Sequence, residues 1–318
     1  AHATLDYSGA FQAQARSDGE PARMLAADCA YQLGFLYQTE ARWSEALAAY
    51  DEALELARQL GSPTLIYQIQ HRQGDVHQQQ GRLASAHVAY AAAIDGIELL
   101  REGIHSDAIK LGLLGTVQQV YEAMVLLCLR MGRAAEAFEY VERARARALV
   151  DMLEAKNPDL RERFAQPFAT LAETQAGLPA GALLVEYYTV GVLPRGDALI
   201  NKLPAENARV RAHLALPPQT LIVLVGRDTL EVRNAPLDPN RLRPASGEPL
   251  PTQRLLEPAL LDQRYRQLIV PVADQLAGRR LVYLAPHGPL HHVPFMALQA
   301  AGGRALIEPG GPAFALAP

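Results

Sequence analysis

Small and bulky apolar residues recur along the first half of this chain with the spacing of one helix face. Each copy places an alanine, a bulky residue four positions later and an alanine three positions after that. Offsets of four and three bring all three side chains to one side of a helix, so the pattern predicts a series of helices. The four copies are Ala3/Tyr7/Ala10, Ala46/Tyr50/Ala53, Ala86/Tyr90/Ala93 and Ala137/Val141/Ala144.

A glycine precedes the second and third copies by twelve residues, Gly34 before Ala46 and Gly74 before Ala86. Glycine inside a helix costs about 1 kcal/mol relative to alanine, so we expect a close helix–helix contact at each of these glycines. Two antiparallel helices per unit, repeated along the chain, are typical of a helical solenoid.

Beyond residue 180 the pattern changes to short β-branched and aromatic runs. Leu183–Tyr188 and Leu221–Val225 predict strands, and Thr229–Val232 is expected to pair with the second of them as a hairpin. Leu255–Leu276 predicts an amphipathic helix or a broken pair of helices, and Arg280–Leu284 predicts a further buried strand. Strands separated by helices in this order favour an α/β sheet domain.

These patterns predict three regions in the chain. Residues 1–155 are expected to form helical repeats, residues 156–180 a linker, and residues 181–318 the α/β domain. The first repeat is expected to be partial, because Ala3/Tyr7/Ala10 matches a second helix and no first helix precedes it.

Composition and charge narrow the class of protein. The chain has 318 residues, of which 49% are hydrophobic, and a formal net charge of −4, so we expect no nucleic-acid partner. It has no run of 18 apolar residues and no charged-then-apolar leader, so we expect no membrane association. The two cysteines, Cys29 and Cys128, lie in apolar helical stripes and fit a reducing cytoplasm.

The second copy of the pattern resembles the tetratricopeptide-repeat (TPR) signature at Leu33, Gly34, Tyr37, Ala46, Tyr50 and Ala53. The spacing is longer than usual, since successive copies lie 43, 40 and 51 positions apart. The resemblance implies a groove, lined by the first helix of each unit, that binds a protein or peptide partner. Carried over by spacing from the two glycines, the groove candidates are Asp28, Tyr31, Phe35, Gln38, Gln68, His71, Asp75 and Gln78. The alternative that Tyr31 and Phe35 simply pack on the adjacent repeat stays open.

Three further blocks resemble, in order, CHAT proteins, which are caspase-like modules joined to tetratricopeptide repeats. These blocks are Gly132–Leu153, Leu183–Tyr188 and Leu281–Leu298. The resemblance implies a cysteine peptidase fold whose His-Gly pair and later cysteine lie downstream of the last block. No cysteine follows Cys128, so we expect this chain to lack the catalytic pair and to hydrolyse nothing.

His287 and Gly288 imitate a catalytic His-Gly pair but precede the segment that the pair should follow. We expect them to form a turn in which His287, His291 and His292 pack or face water. A metal centre needs three or four fixed ligands, so we expect no metal and no cofactor here. The charges of Arg143, Arg145 and Arg147 are balanced by three preceding glutamates, Glu136, Glu139 and Glu142. This predicts a solvated helix face or a Glu–Arg ladder rather than a phosphate or acidic-peptide site.

The sequence therefore predicts an α + α/β protein: a TPR-like α-solenoid followed by the N-terminal lobe of a caspase-like CHAT domain. The predicted function is the peptide-binding regulatory portion of a bacterial, cytoplasmic TPR–CHAT cysteine peptidase, truncated before its catalytic residues. The alternative is a non-catalytic TPR interaction scaffold.

Overall fold

The structure is a computed structural model that describes residues 19–103, 107–154, 169–192, 216–242, 252–299 and 313–316. It contains helices and a five-stranded mixed sheet, which makes the fold mixed α and β. The chain divides into two compact units, Ala1–Met131 and Gly132–Pro318. The first copy of the alanine pattern, Ala3/Tyr7/Ala10, lies outside the described residues.

The helical unit contains five described helices joined by short turns. Each helix packs against the next one along the chain. Turns with left-handed backbone separate the first helices, at Ala41 (φ 59°), Gly61 (φ 60°) and Gly81 (φ 75°). The helices are α1 (Glu20–Thr39), α2 (Trp43–Gln59), α3 (Pro63–Gln79), α4 (Leu83–Gly103) and α5 (Asp107–Arg130).

The two helical glycines lie where the next helix crosses most closely, as the sequence predicted. A Cβ atom built on Gly34 would lie 2.6 Å from the Tyr50 ring of α2, and one on Gly74 would lie 2.4 Å from the Tyr90 ring of α4. Because real Cβ atoms do not approach other atoms so closely, only glycine allows these tyrosines to be buried between the helices.

The sheet unit begins with a helix that the sequence analysis assigned to the repeats. This helix, α6 (Ala134–Glu154), belongs to the sheet unit, because Phe138 packs against Leu178, Val223 and Val225. The division of the chain therefore falls between Met131 and Gly132, whereas the predicted boundary was residue 155. A short helix, α7 (Leu171–Gly177), follows with a capping box between Thr170 and Glu173.

The sheet has the strand order β3–β2–β1–β4–β5. The central strand β1 pairs antiparallel with β2 and parallel with β4, while β5 extends the parallel part. The predicted hairpin is present, since β2 and β3 pair antiparallel. The strands are β1 (Ala182–Val190), β2 (Gln219–Val225), β3 (Leu230–Ala235), β4 (Leu281–Ala285) and β5 (Ala313–Leu316).

Helices cover both faces of this sheet. Alternate residues of β1 point to opposite faces, so Val185 and Tyr187 pack on one side while Ala182 packs with Phe138 of α6 on the other. The side of Tyr187 is covered by α9, and the Tyr187 hydroxyl donates to the Leu268 carbonyl at 2.9 Å. The helices between β3 and β4 are α8 (Thr252–Leu255), α9 (Pro258–Leu268) and α10 (Ala273–Leu276).

Candidate functional site

Polar and aromatic side chains of α1 and α3 are held together by one arginine. Arg72 of α3 donates from Nε to the Tyr31 hydroxyl of α1 at 3.5 Å. Its guanidinium also lies 5.6 Å from the centre of the Phe35 ring, within the range of a cation–π contact. On its own helix, Arg72 pairs with Asp75 at 3.1 Å. Arg72 therefore links the two helices whose faces were predicted to bind a peptide.

Asp75 connects this cluster to α4 beneath it. The Tyr90 hydroxyl donates to Asp75 Oδ1 at 2.8 Å and to Gln78 Oε1 at 3.2 Å. His71 Nε2 lies 3.7 Å from Asp75 Oδ1, and the His71 ring stacks obliquely on Tyr90 at 5.7 Å between ring centres. Asp75 therefore accepts from a tyrosine and faces both an arginine and a histidine, which fixes its carboxylate.

Burial keeps the imidazole of His71 uncharged near neutral pH. It lowers the pKa of His71 below the ordinary value of 6.5, against the opposing attraction of Asp75, while Arg72 lowers it further. Burial also raises the pKa of the Tyr90 phenol well above its ordinary value. The groups therefore act as neutral hydrogen-bonding partners around one Arg–Asp ion pair.

The same arrangement occurs twice, 40 positions apart. The Tyr50 hydroxyl donates to Gln38 Oε1 at 2.8 Å, as Tyr90 donates to Gln78. Tyr31 stacks on Tyr50 at 5.9 Å between ring centres, in the place that His71 takes on Tyr90. In both copies the tyrosine hydroxyl is bonded to a glutamine of the preceding helix. The ring that packs on the tyrosine differs between the copies: it is Tyr31 in the first and His71 in the second.

The structure brings most of the predicted groove residues to this face but not all of them to its surface. Asp28 is exposed, whereas Gln38 is only 1% exposed and is bound by Tyr50. The prediction of Gln38 as an exposed groove residue is therefore wrong, because its side chain is used inside the unit. The partly buried candidates are Tyr31, Phe35, Gln68, His71, Asp75 and Gln78.

Arg72 was missed by the sequence analysis. The tetratricopeptide spacing selects His71 as a groove residue and does not select Arg72, the next residue in the chain. The available signal was charge: α3 contains one arginine and one aspartate three residues later among many amides. This i,i+3 spacing places the two groups side by side on a helix.

One arginine of α6 pairs with a buried glutamate of the sheet as well as with a glutamate of its own helix. Arg145 contacts Glu142 at 3.1 Å on its own helix, and it also pairs with Glu186 of β1. Glu186 is fully buried, and burial raises the pKa of its carboxyl well above the ordinary value although Arg145 lowers it. The Glu–Arg pair within the helix was predicted, whereas Glu186 was passed over inside an apolar strand.

The histidines after β4 form the turn that the sequence predicted. His287 is partly buried and stacks on Tyr188 at 4.6 Å between ring centres. Its Nδ1 accepts from the Thr189 backbone N–H at 3.2 Å, so this nitrogen is occupied within the fold. His291 and His292 are exposed. One packed histidine and two solvent-facing ones are the arrangement of a structural turn.

In the part of the chain that the structure describes, one helix is long and apolar enough to be a candidate membrane span. The window Leu83–Leu100 of α4 has a mean hydropathy of 1.3, and 28% of it is buried. Core helices of soluble proteins meet the same criterion, so this helix does not assign the protein to a membrane or to a compartment.

The chain matches no family model, no curated protein and no solved structure significantly.

Proposed function

We propose that the face formed by α1 and α3 binds a peptide segment of a partner protein. The observation that carries the proposal is the cluster around Arg72, which ties Tyr31 and Phe35 of α1 to Asp75 of α3. A groove that spans two helices needs side chains fixed in place before the partner arrives, because ordering them on binding would cost affinity. Aromatic and arginine side chains are also those that dominate peptide recognition.

The partner is expected to bind as an extended or helical segment with a few apolar anchors. Phe35 and Tyr31 offer partly exposed rings, while Gln68 and Gln78 offer amides that can bond to a peptide backbone. Asp28, exposed on α1, adds one negative charge at the rim. These groups fit a TPR-like solenoid that presents its first helices to a partner.

We further propose that the sheet unit is the first part of a caspase-like domain of the CHAT type. Its support is the parallel order of β1, β4 and β5, with the Leu281–Leu298 block leading from β4. The parent protein would then be a cysteine peptidase whose catalytic histidine and cysteine follow Pro318. Sequencing the gene beyond Pro318 tests this idea: a His-Gly pair and a later cysteine after apolar strands support it, and their absence leaves the scaffold function.

A peptide-array screen with the full chain tests the binding face. Peptides that bind are then measured by fluorescence anisotropy against Phe35→Ala and Gln68→Ala, which shorten side chains on the proposed face. We expect at least tenfold weaker binding for Phe35→Ala. The matched control is Val88→Ala, since Val88 is exposed on α4. Equal losses in all three variants, or none in the first two, would remove this assignment.

A further inference from the structure

Two glutamate side chains share one arginine where α6 packs on the sheet. The Nη1 atom of Arg145 donates to Glu142 Oε1 at 3.1 Å on its own helix, and the same atom donates to Glu186 Oε1 of β1. The two carboxyl groups are therefore neighbours, although one belongs to a helix and the other to the sheet. A single positive charge faces two acids, so the cluster carries a net negative charge if both are ionised.

The surroundings of the two acids are unequal. The side chain of Glu142 is 25% exposed and can reach water, whereas Glu186 is 0% exposed. The second oxygen of Glu186, Oε2, is buried and meets no hydrogen-bond donor among the described residues. An ionised carboxylate that is removed from water and only half satisfied is unfavourable, even beside a cation. The site therefore favours the protonated form of Glu186.

A proton on one of the acids resolves both problems. The carboxyl group of Glu186 is hydrogen-bonded to that of Glu142. Two ionised carboxylates offer only acceptors, so a hydrogen bond between them requires that one carries a proton. With one proton in the pair, one negative charge remains, and it balances the positive charge of Arg145. Two carboxyl groups in contact share a proton in this way because both cannot ionise at low cost.

The other titratable groups at this place come from β1 and from the turn after β4. Tyr188 follows Glu186 on the same face of β1 and stacks on His287. Burial lowers the pKa values of both His287 and His291, and the nearby charge of Arg145 lowers them further. The two imidazoles are therefore uncharged near neutral pH and do not act as a second cation for the acids.

We propose that Glu142 and Glu186 hold one proton between them and that this proton keeps α6 on the sheet. Loss of the proton leaves two like charges beside one arginine, one of them without water, and the contact between α6 and β1 loosens. The sheet unit thus contains a pH-sensitive contact that weakens as the medium becomes more alkaline. This inference does not depend on the proposed peptide-binding face.

The direction of the pH effect follows from the pKa of Glu186. Burial raises this pKa well above the ordinary value of 4.5, and Glu142 raises it further although Arg145 lowers it. When α6 opens, Glu186 meets water and its pKa returns toward 4.5. Between pH 4.5 and the raised pKa, the open form releases a proton that the closed form keeps. Opening should therefore become about tenfold more favourable per pH unit in this window. Below pH 6.5 the lowered pKa of His287 has the opposite effect, so variants must be compared with the parent chain at equal pH.

Hydrogen–deuterium exchange of the full chain between about pH 5 and about pH 8 tests the proposal. The measured quantity is the opening equilibrium of residues 134–145, corrected for the intrinsic exchange rate at each pH. Glu186→Gln can accept from Arg145 and donate to Glu142 without titrating. We expect opening in the parent chain to rise, relative to this variant, by about tenfold per pH unit within the window. The matched control Glu139→Gln changes an exposed acid of the same helix and should follow the parent chain. Parallel profiles of the parent chain and Glu186→Gln would overturn the proposal, as would a Glu139→Gln profile that matches Glu186→Gln.

A second variant decides the matter if Glu186→Gln does not fold. Glu142→Gln changes a partly exposed side chain and removes the second acid, while Arg145 and Glu186 remain. Because Glu186 then faces the arginine without a competing charge, we expect opening of α6 to depend less steeply on pH than in the parent chain. An unchanged pH dependence in Glu142→Gln would show that the two acids do not share a proton.

Discussion

At the scale of single residues, the helical unit depends on two glycines. The space beside each is filled by a tyrosine whose hydroxyl is bonded, Tyr50 to Gln38 and Tyr90 to Gln78 and Asp75. A bonded, buried ring cannot move aside without losing its hydrogen bond. The glycines are thus required by packing, and their low helix propensity is offset by the aromatic burial that they allow.

Replacing Gly34 by alanine should destabilise the protein although alanine is the better helix former. The new Cβ would lie 2.6 Å from the Tyr50 ring, and such overpacking costs about 1–3 kcal/mol, more than the ~1 kcal/mol gained in propensity. Urea unfolding followed through Trp43 fluorescence measures the change. The matched control is Gly96→Ala, whose Cβ would lie 3.5 Å from Tyr67 and should stabilise by up to about 1 kcal/mol. A stabilising Gly34→Ala would contradict the packing argument.

His287 should make the sheet unit less stable in acid. Burial, with Arg145 and His291 adding repulsion, lowers the pKa of His287 from 6.5 to about 3. Between these pH values the unfolded chain takes up the proton and the folded one does not, so stability is present above pH 6.5 and falls toward pH 3. The limiting slope is about 1.4 kcal/mol per pH unit.

The variant that tests this is His287→Asn, whose side-chain oxygen can accept from the Thr189 N–H without titrating. Differential scanning calorimetry at several pH values should show a shallower loss of stability between pH 6.5 and 3 in the variant than in the parent chain. Parallel pH profiles of the two proteins would mean that His287 is protonated in the fold.

At the scale of elements, α1 and α3 have the same pattern but different neighbours. Both helices carry apolar residues at equivalent positions 40 apart, Leu25 with Leu65 and Leu36 with Val76. On α3 these residues pack against α2 and are buried, with Leu65 7% exposed. On α1 they are open, with Leu25 54% and Leu36 56% exposed. The same sequence pattern therefore has two outcomes: these positions are buried on α3, which has a helix on either side, and open on α1.

Equivalent substitutions should therefore have unequal effects on stability. Leu65→Ala removes a buried side chain and should cost about 2–3 kcal/mol, whereas Leu25→Ala should cost less than about 1 kcal/mol because little of it is buried. Chemical unfolding of the two single variants measures both values under the same conditions. A cost at Leu25 equal to that at Leu65 would mean that this face of α1 is covered in solution.

Local pattern was sufficient to predict most elements but not their partners. The helical hairpins, the β2–β3 hairpin and the strand at β4 follow from periodicity and turn residues that lie within about twenty positions of each other. The place of α6 depends on Phe138 and Arg145, whose partners in the sheet lie more than forty positions away, as Arg145 and Glu186 do. Because a helix that packs on a sheet has the same period as one that packs on a helix, the sequence alone could not assign it.

The same limit applies to the candidate binding site. Spacing from the glycines selects one face of α1 and α3, but a shift of one residue separates an exposed position from a buried one. Gln38 was therefore misjudged, because a tyrosine twelve residues later uses its oxygen. Arg72 was missed because its role depends on contacts with Tyr31 and Phe35 of another helix. A pattern within its own helix does not contain that information.

At the scale of the whole molecule, the position of the boundary decides which fragments fold. The sheet face that contains Ala182, Val223 and Val225 is covered by α6 through Phe138, and the buried Glu186 carboxyl pairs with Arg145 of the same helix. A fragment of residues 156–318 lacks this helix. It leaves an apolar sheet face in water and an ionisable group buried without its cation, each of which costs several kcal/mol.

We therefore expect residues 132–318 to unfold cooperatively and residues 156–318 to lack fixed tertiary packing. Near-UV circular dichroism, binding of an apolar dye and limited proteolysis of the two fragments distinguish these outcomes. A third fragment, 132–318 with Phe138→Ala, isolates the packing contribution, since truncation of a buried phenylalanine should cost about 3–5 kcal/mol while Arg145 remains. If residues 156–318 unfold as cooperatively as residues 132–318, α6 is dispensable to the sheet and the boundary lies where the alanine pattern had predicted it.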